Sequence, residues 1–200
     1  MSSQSPEITA AYDAAQPGLG AGHALEARLI GPAAYARRLA AARDAVNDAG
    51  LDAVLLGFGA DMRYLTGYAA PALERLTMLV IPARGEPSLI VPRLEAGMAG
   101  QAPAMAGGQV ACLPFGETDD PFALVARAVH AGARSGGTQR AVAVSDRLWS
   151  TFLIRIESAL RANGTIAQTR LASEVIGPLR MVKAPEEAAL LRAAGRAVDT

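Results

Sequence analysis

The stretch LDAVLLG at residues 51–57 decides the fold of this chain. Apart from its first residue, Asp52, the run 52–56 is apolar without the alternation of a half-exposed strand, and Gly57 stops it. A short, continuous apolar run of this kind predicts a strand that is buried on both faces of a sheet.

An amphipathic helix is predicted directly before this strand. Pro32 suits a first helical position, and Gly50 suits the residue that ends a helix. Apolar residues recur at helical spacing at Tyr35, Leu39, Ala42 and Val46. Three arginines are expected on the opposite face: Arg37, Arg38 and Arg43. Helix, tight turn and buried strand together predict an α/β unit.

The pattern after residue 75 predicts a sheet that is not purely parallel. Apolar runs at 76–81 and 88–91 flank the Gly- and Pro-rich segment 82–87, which indicates an antiparallel hairpin. The remaining periodicities predict a helix at 94–99, a strand at 109–113, a helix from Pro121 opened by Asp119 and Asp120, a strand at 141–144, a helix at 148–160 and a strand at 165–168. The fold class is therefore α/β with a mixed sheet.

The two ends of the chain differ from the segment between them. Residues 1–24 mix Ser, Pro, Gly and Gln without an apolar period, and they are expected to form a disordered leader. Residues 25–170 form the predicted α/β domain, and residues 171–200 are expected to be helical. This last segment divides into a helix at 171–176, a connector at 178–183 and a helix from Pro185. The final helix lacks a stop signal, which favours a continuation into a further domain.

Composition narrows the classes of function. The 200 residues carry 19 basic and 19 acidic side chains, whereas a nucleic-acid partner requires an excess of positive charge. One cysteine cannot form an internal disulfide, and His23, His130 and Cys112 lack metal-ligand spacing. No apolar window is long enough to cross a membrane, and the first residues are unlike a signal peptide. We therefore expect a cytoplasmic protein without a zinc site.

Familiar catalytic and nucleotide-binding motifs are missing or incomplete. Met62 replaces the third glycine of a dinucleotide fingerprint that begins at Gly57, so a turn is the favoured interpretation of that segment. No P-loop and no nucleophile elbow occur in the sequence. Structural roles are expected for the other chemistry-bearing residues: capping for Asp119 and Asp120, a position near a helix end for His130, core packing for Cys112 and helix anchoring for Trp149.

The segment ADMRYLTGYAAPALERL at 60–76 is the most informative one. Tyr64, Tyr68 and several charged residues crowd around Gly67 and Pro71 in an otherwise aliphatic chain. The glycine and the proline predict a loop at the ends of strands, where binding residues often lie. The alternative is that both tyrosines pack on the sheet and that a nearby arginine pairs with the one glutamate of the segment.

This segment resembles the N-terminal domain of the aminopeptidase P, proline dipeptidase and creatinase family. The similarity begins at LDAVLL and continues through DMRYLTGY at 61–68, where the family has YLTG followed by an aromatic residue. The family's central hairpin corresponds to 74–92, and LRMVK at 179–183, with Glu186 and Glu187, is similar to its connector. The match covers about residues 25–200, and the order of its motifs makes it specific.

The resemblance implies a three-layer α/β domain of the creatinase/aminopeptidase N-terminal-domain fold, which precedes a pita-bread metallopeptidase domain. In that second domain two Asp, one His and two Glu hold a pair of Mn, Co or Zn ions, which activate water for attack on an Xaa-Pro bond. This chain is therefore expected to be inactive alone and to hold no metal. One departure from the family is Ala184, where a capping Ser or Thr is usual.

The resemblance also implies a role for the domain. In the full enzymes it serves dimerisation and covers part of a neighbouring subunit's active site. The expected partners are the catalytic domain, a second subunit and short proline-containing peptides. On this analogy the loops 57–61 and 68–75 face the substrate. The candidate substrate-facing residues are Phe58, Asp61, Tyr68 and Arg75; Arg75 would meet a carboxylate, and Phe58 or Tyr68 would form an apolar wall.

Two alternatives stay open at this point. The chain is either the non-catalytic part of a metal-dependent Xaa-Pro peptidase or a stand-alone binding or regulatory module of the same fold. The parent enzyme could also be a creatinase-like amidinohydrolase, because that enzyme shares both domains.

Overall fold

The computed structural model describes residues 30–133, 140–164 and 167–198. The predicted leader at 1–24 and the first part of the predicted strand at 165–168 lie outside these ranges. The chain divides into two compact units, one formed by Pro32–Val182 and the other by Met1–Gly31 with Lys183–Thr200. The domain boundary expected at residue 170 stays a prediction.

The unit Pro32–Val182 contains both helices and strands. Its helices are α1 (Pro32–Asp48), α2 (Ala60–Thr66), α3 (Ala96–Gln101), α4 (Pro103–Ala106), α5 (Pro121–Ala131), α6 (Ser150–Ala162) and α7 (Ser173–Met181). Its strands are β1 (Ala53–Leu56), β2 (Met78–Pro82), β3 (Ser88–Pro92), β4 (Ala111–Phe115), β5 (Arg140–Val144) and β6 (Ala167–Leu171). In the other unit, the described helix is α8 (Pro185–Val198).

The six strands form one mixed sheet in the order β4-β3-β2-β1-β5-β6. Strand β2 runs antiparallel to both of its neighbours, β1 and β3, and the other pairings are parallel. Five strands therefore run in one direction and β2 runs against them. Leu79 lies opposite Leu89 in the β2–β3 hairpin, so the predicted hairpin and the predicted mixed α/β sheet are both confirmed.

Helices cover both faces of this sheet. Strands β1, β2 and β3 are buried at every position, which confirms the prediction for the run 52–56. On one face, α5 and α6 pack over a core that contains Leu55 and Val80. On the other face, α1 contacts β2 and buries the four apolar residues predicted for its inner side: Tyr35, Leu39, Ala42 and Val46. These strands are apolar at consecutive positions because helices exclude water from both faces of the sheet.

One arginine of α1 does not lie on the predicted polar face. Arg38 is only 8% exposed. Its guanidinium carbon lies 4.3 Å from the centroid of the Tyr64 ring, and its Nη1 donates to the backbone oxygen of Tyr64 at 2.9 Å. A buried arginine is tolerated when its stem packs and its head finds a ring and an acceptor. Both partners belong to α2, a helix that the sequence does not predict.

Helices form at two places where the sequence predicts loops. Helix α2 occupies part of the segment 60–76 and ends at Gly67, whose φ of 75° is left-handed and whose N–H donates to Arg63 O. Helix α7 runs through Pro178 to Met181, and so it takes in much of the connector predicted at 178–183. Buried Val175 and Ile176 hold α7 in the unit, which offsets the hydrogen bond that the proline cannot donate.

The predicted helix caps are confirmed in part. Oδ1 of Asp120 accepts from Phe122 N at 2.9 Å and caps α5, whereas Oδ2 of Asp119 accepts from Gly116 N at 2.7 Å and closes the preceding turn. At α8, Oε2 of Glu187 accepts from Ala184 N at 3.0 Å. This bond is one half of a capping box, so the helix start is stabilised although Ala184 has no capping side chain.

Cys112 does not belong to the core, contrary to the prediction. It lies on β4, an edge strand with mostly exposed positions, and is itself half-buried. Burial nevertheless raises the pKa of the Cys112 thiol above its ordinary value.

Candidate functional site

Two cavities open at the edge of the sheet where the five parallel strands end, which we call the carboxyl edge. The β1–β5 cavity, of about 480 Å³, is lined by 57–61, 145–147, Ser173, Gly177 and Arg180. The β3–β4 cavity, of about 450 Å³, is lined by Arg75, Arg93, Leu94, Glu117, Phe122, Phe152, Arg155 and neighbouring residues. Ligands of α/β proteins commonly bind at this edge, because the loops that follow the strands meet there.

Backbone groups of the loops hold the β1–β5 cavity in shape. Gly57 N, directly after β1, donates to Ser145 Oγ at 2.9 Å, directly after β5. Ser173 N, at the start of α7, donates to Asp146 Oδ1 at 3.0 Å. The cavity therefore has a cross-linked rim that joins the ends of two parallel strands to α7.

Asp61 lies in the first turn of α2 and forms an ion pair with Arg180 of α7. One turn further along α2, Tyr64 Oη donates to Leu179 O at 3.2 Å. Both contacts fasten α2 to α7. The carboxylate of Asp61, a predicted substrate-facing residue, thus lines the β1–β5 cavity and is neutralised by a guanidinium within it.

Phe58 lines the same cavity and begins a row of aromatic rings along the carboxyl edge. Its ring meets Trp149 edge to face at a centroid distance of 5.5 Å, and Trp149 stacks on Phe152 at 5.4 Å. Phe152 in turn lies 6.2 Å from Phe122. Because Phe152 and Phe122 line the β3–β4 cavity, the row connects the two cavities. Trp149 directly precedes α6 and is 40% exposed, and since its ring contacts are with a loop residue and with α6 itself, the anchoring of a helix to the sheet by Trp149 stays a prediction.

Arg75 lies on the other cavity, before β2. Its Nη1 is 3.0 Å from Glu117 Oε1, and its Nη2 is 3.4 Å from Oε1 of buried Glu95. The guanidinium thus bridges the loop after β3 and the loop after β4. Within the described ranges no arginine pairs with Glu74, and its neighbour Arg75 pairs with Glu95 and Glu117 instead.

Tyr68 lies away from both cavities. It is 5% exposed and does not line either of them. Its backbone N–H donates to Thr66 Oγ1 at 3.0 Å, just after Gly67 ends α2. The four predicted residues therefore occupy three places: Phe58 and Asp61 share one cavity, Arg75 lies in the second, and Tyr68 is in the core.

Four arginines that line the two cavities are not predicted as site residues by the sequence: Arg93, Arg147, Arg155 and Arg180. Arg180 stands within the connector motif LRMVK at 179–183, and this motif is the only signal that points to it. Arg93 directly follows strand β3, and Arg155 lies on helix α6. Neither position carries a motif. Only the fold brings them to one cavity.

The described residues offer no place for the metal pair that the resemblance gives to the catalytic domain. In the ranges 30–133, 140–164 and 167–198, no three His, Cys, Asp or Glu side chains come together in a group that could hold an ion. Asp119 and Asp120, which are adjacent in sequence, are used by the turn and the cap. Among the described helices, none is long and apolar enough to span a membrane.

Curated relatives of this chain are described as dipeptidases. "Probable dipeptidase PepE" of Mycobacterium tuberculosis and its counterpart in Mycobacterium bovis are each 39% identical to it over 165 residues. The match takes in 82% of this chain and 41% of each relative. The chain thus spans about two fifths of the length of the curated relatives it matches.

Solved structures share the fold. Dipeptidase PepE from Mycobacterium ulcerans has a TM-score of 0.71 and 40% identity, over 84% of this chain and 42% of its own. A prolidase from Thermococcus sibiricus has a TM-score of 0.63 and 20% identity, over 78% of this chain and 39% of its own. A proline dipeptidase structure from Streptococcus pneumoniae has a TM-score of 0.57 and 22% identity, over 72% of this chain and 98% of its own.

A family model gives the same assignment. The model of the creatinase/prolidase N-terminal domain matches residues 38–182, which take in most of α1 and every later element up to the end of α7. The chain belongs to the creatinase/prolidase N-terminal domain family.

Proposed function

We propose that this domain is the non-catalytic N-terminal part of a metal-dependent dipeptidase or aminopeptidase that hydrolyses Xaa-Pro bonds in the cytoplasm. The observation that carries the proposal is the 39% identity to PepE over 165 residues, a match confined to 41% of that dipeptidase. Chemistry that needs two divalent ions belongs to the remaining part of such an enzyme. The domain's own contribution would be dimerisation and partial covering of the active site.

The carboxyl edge is the surface we assign to the covering role. Phe58 would offer an apolar wall to a substrate, because its ring is only half-buried and lines the β1–β5 cavity. Arg75 would bind a substrate carboxylate by exchanging exposed Glu117 for it, while buried Glu95 keeps the guanidinium oriented. Asp61 would act through its pair with Arg180, and Tyr68 through packing behind the loop.

A chimera tests the proposal directly. Residues 30–182 replace the matched N-terminal segment of the Mycobacterium tuberculosis PepE, and a second protein lacks that segment. We expect the manganese-loaded chimera to hydrolyse an Xaa-Pro dipeptide and to be a dimer by light scattering, and the truncated protein to fail in both. A folded, metal-loaded chimera that is as inactive as the truncated protein would contradict the proposal. The 200-residue chain alone is expected to show no hydrolysis.

The role of Arg75 needs a separate variant of the same chimera. We expect Arg75→Gln to raise KM for the dipeptide about tenfold with little change in kcat, because the carboxylate contact is made before and during the reaction. Arg127→Gln serves as the matched control, since Arg127 is an exposed arginine of α5 that lines neither cavity. Equal KM values for the two variants would remove Arg75 from the binding site.

A further inference from the structure

The β3–β4 cavity contains two guanidinium groups that no described residue pairs. Among the described residues, the guanidinium of Arg93 has no hydrogen-bond or ion-pair partner, and the guanidinium of Arg155 contacts only the ring of Phe122, 4.1 Å from its central carbon. The third arginine of the cavity, Arg75, differs from them because it is bridged between Glu95 and Glu117. Two of the three cations in the cavity are therefore available to a ligand.

The acidic groups around this cavity are mostly committed elsewhere. Glu117 is held by Arg75, and Asp119 accepts from Gly116 N. The guanidinium of Arg93 packs beside that same turn, where a Cβ on Gly116 would lie 3.4 Å from its Nη2. Glu74 is exposed at the rim. Arg93 and Arg155 are themselves exposed, and they give the cavity positive charge that the neighbouring carboxylates do not pair, which favours an anionic ligand.

The same cavity has an apolar side. Leu94 lines it and is 64% exposed, so its side chain is accessible to a ligand. Phe122 and Phe152 form the floor and are almost fully buried, so they fix the shape rather than offer much free surface. A volume of about 450 Å³ lies within the range of small-molecule sites, which combine apolar walls with a few convergent polar groups.

We propose that the β3–β4 cavity binds a small organic carboxylate with an apolar body. Arg93 and Arg155 receive the carboxylate, for which a guanidinium is suited in geometry and charge, and Leu94 covers the apolar body. The site does not depend on the proposed function, because it requires neither a catalytic domain nor Arg75. A negative result for the carboxylate site therefore does not contradict the proposed function, and a negative result for the proposed function does not contradict the site.

Calorimetric titration of the 200-residue chain with 3-phenylpropionate tests the site. We expect saturable binding of 3-phenylpropionate and none of its neutral amide, 3-phenylpropanamide. Arg93→Gln and Arg155→Gln should each weaken binding about tenfold, since each removes a charge-assisted hydrogen bond. The exposed control Arg127→Gln should bind like the parent chain. Trp149 is the only tryptophan and stacks on Phe152 of the floor, so its fluorescence provides a second readout.

Folding is controlled within the same series. Arg155→Gln loses the contact with Phe122, so its melting temperature is measured alongside, whereas Arg93→Gln loses no hydrogen bond or ion pair with a described residue. Absence of saturable binding, or Arg93→Gln binding as tightly as the parent chain, would overturn the proposal. Inorganic phosphate binding as tightly as 3-phenylpropionate would overturn the assignment of an apolar body, because phosphate gains nothing from Leu94.

Discussion

Nη1 of Arg140 donates to the buried carboxylate of Asp52 at 3.1 Å, and this bond joins the beginnings of two neighbouring parallel strands. The other oxygen of Asp52 accepts from Ala141 N at 3.1 Å. The backbone of Asp52 contributes as well, since its N–H donates to Ala141 O and its oxygen accepts from Ala83 N. Asp52 thus ties β1 to β5 and to the hairpin, at the edge of the sheet opposite both cavities.

Replacing Asp52 should therefore be costly although it lies far from any cavity. We expect Asp52→Ala to lower the free energy of unfolding by about 2–3 kcal/mol, because the Arg140 guanidinium and the Ala141 N–H lose their acceptor. Urea unfolding followed by circular dichroism measures the change. Arg140→Gln should cost less, since the Asp52 carboxylate keeps its bond from Ala141 N and the glutamine amide can still donate to it. Equal stabilities of Asp52→Ala and the parent chain would show that the network contributes nothing.

The YLTG motif at 64–67 ends in a glycine for two separable reasons. Gly67 has a φ of 75°, and a Cβ there would lie 2.7 Å from Cδ of Pro103. Gly108 has almost the same φ, 74°, but a Cβ added to it would meet nothing within 4 Å. We expect Gly108→Ala to cost about 1 kcal/mol from backbone strain alone, and Gly67→Ala to cost about 1–3 kcal/mol more from the clash. Thermal unfolding of both variants measures the two losses of stability. Equal losses would show that the contact with Pro103 contributes nothing.

Patterns with a strong period predict most of the fold, whereas the segments held by tertiary contacts escape prediction. The run 52–56 and the segment 82–87 determine the central strand and the hairpin because burial on both faces and turn chemistry leave direct marks in the sequence. Helix α2 is only seven residues long, and isolated helices of that length are unstable, so local propensity cannot reveal it. It is held by the ring and backbone of Tyr64 against Arg38 and α7.

The sequence predicts one cluster of site residues, whereas the structure divides them between the β1–β5 cavity, the β3–β4 cavity and the core. Phe58 and Asp61 follow the same strand, β1, so their proximity is predictable from chain order. Arg75 directly precedes β2. In the sheet β2 lies beside β3 and is separated from β5 by β1, so Arg75 lies near the loops that follow β3 and β4. Sequence spacing does not carry this information, because strand order is set by long-range pairing. Arg93 and Arg155 meet Arg75 for the same reason.

Cys112 should titrate at higher pH in the folded chain than in the unfolded one. Burial raises the pKa of its thiol, so the folded chain holds this proton more tightly. The resulting stabilisation is fully present below the pKa of the unfolded thiol and is lost as the pH rises through the higher folded pKa. We expect slower reaction of a disulfide reagent with the native chain than with the urea-unfolded chain at mildly alkaline pH. Matching rates and matching pH profiles in the two states would contradict this.

The end of α5 is packed against the hairpin more closely than any side chain allows. A Cβ on Gly132 would lie 2.2 Å from Cβ of Pro82 and 2.5 Å from the backbone oxygen of Arg84, and Arg84 N donates to Gly132 O at 3.1 Å. Because backbone atoms and a proline ring cannot move aside, we expect Gly132→Ala to lower the free energy of unfolding by about 2–3 kcal/mol. Gly100→Ala is the matched control: nothing lies within 4 Å of its added carbon, and alanine favours helix α3. Urea unfolding should thus show a lower free energy of unfolding for Gly132→Ala and a slightly higher one for Gly100→Ala. An unchanged free energy of unfolding for Gly132→Ala would mean that α5 can move away from the hairpin.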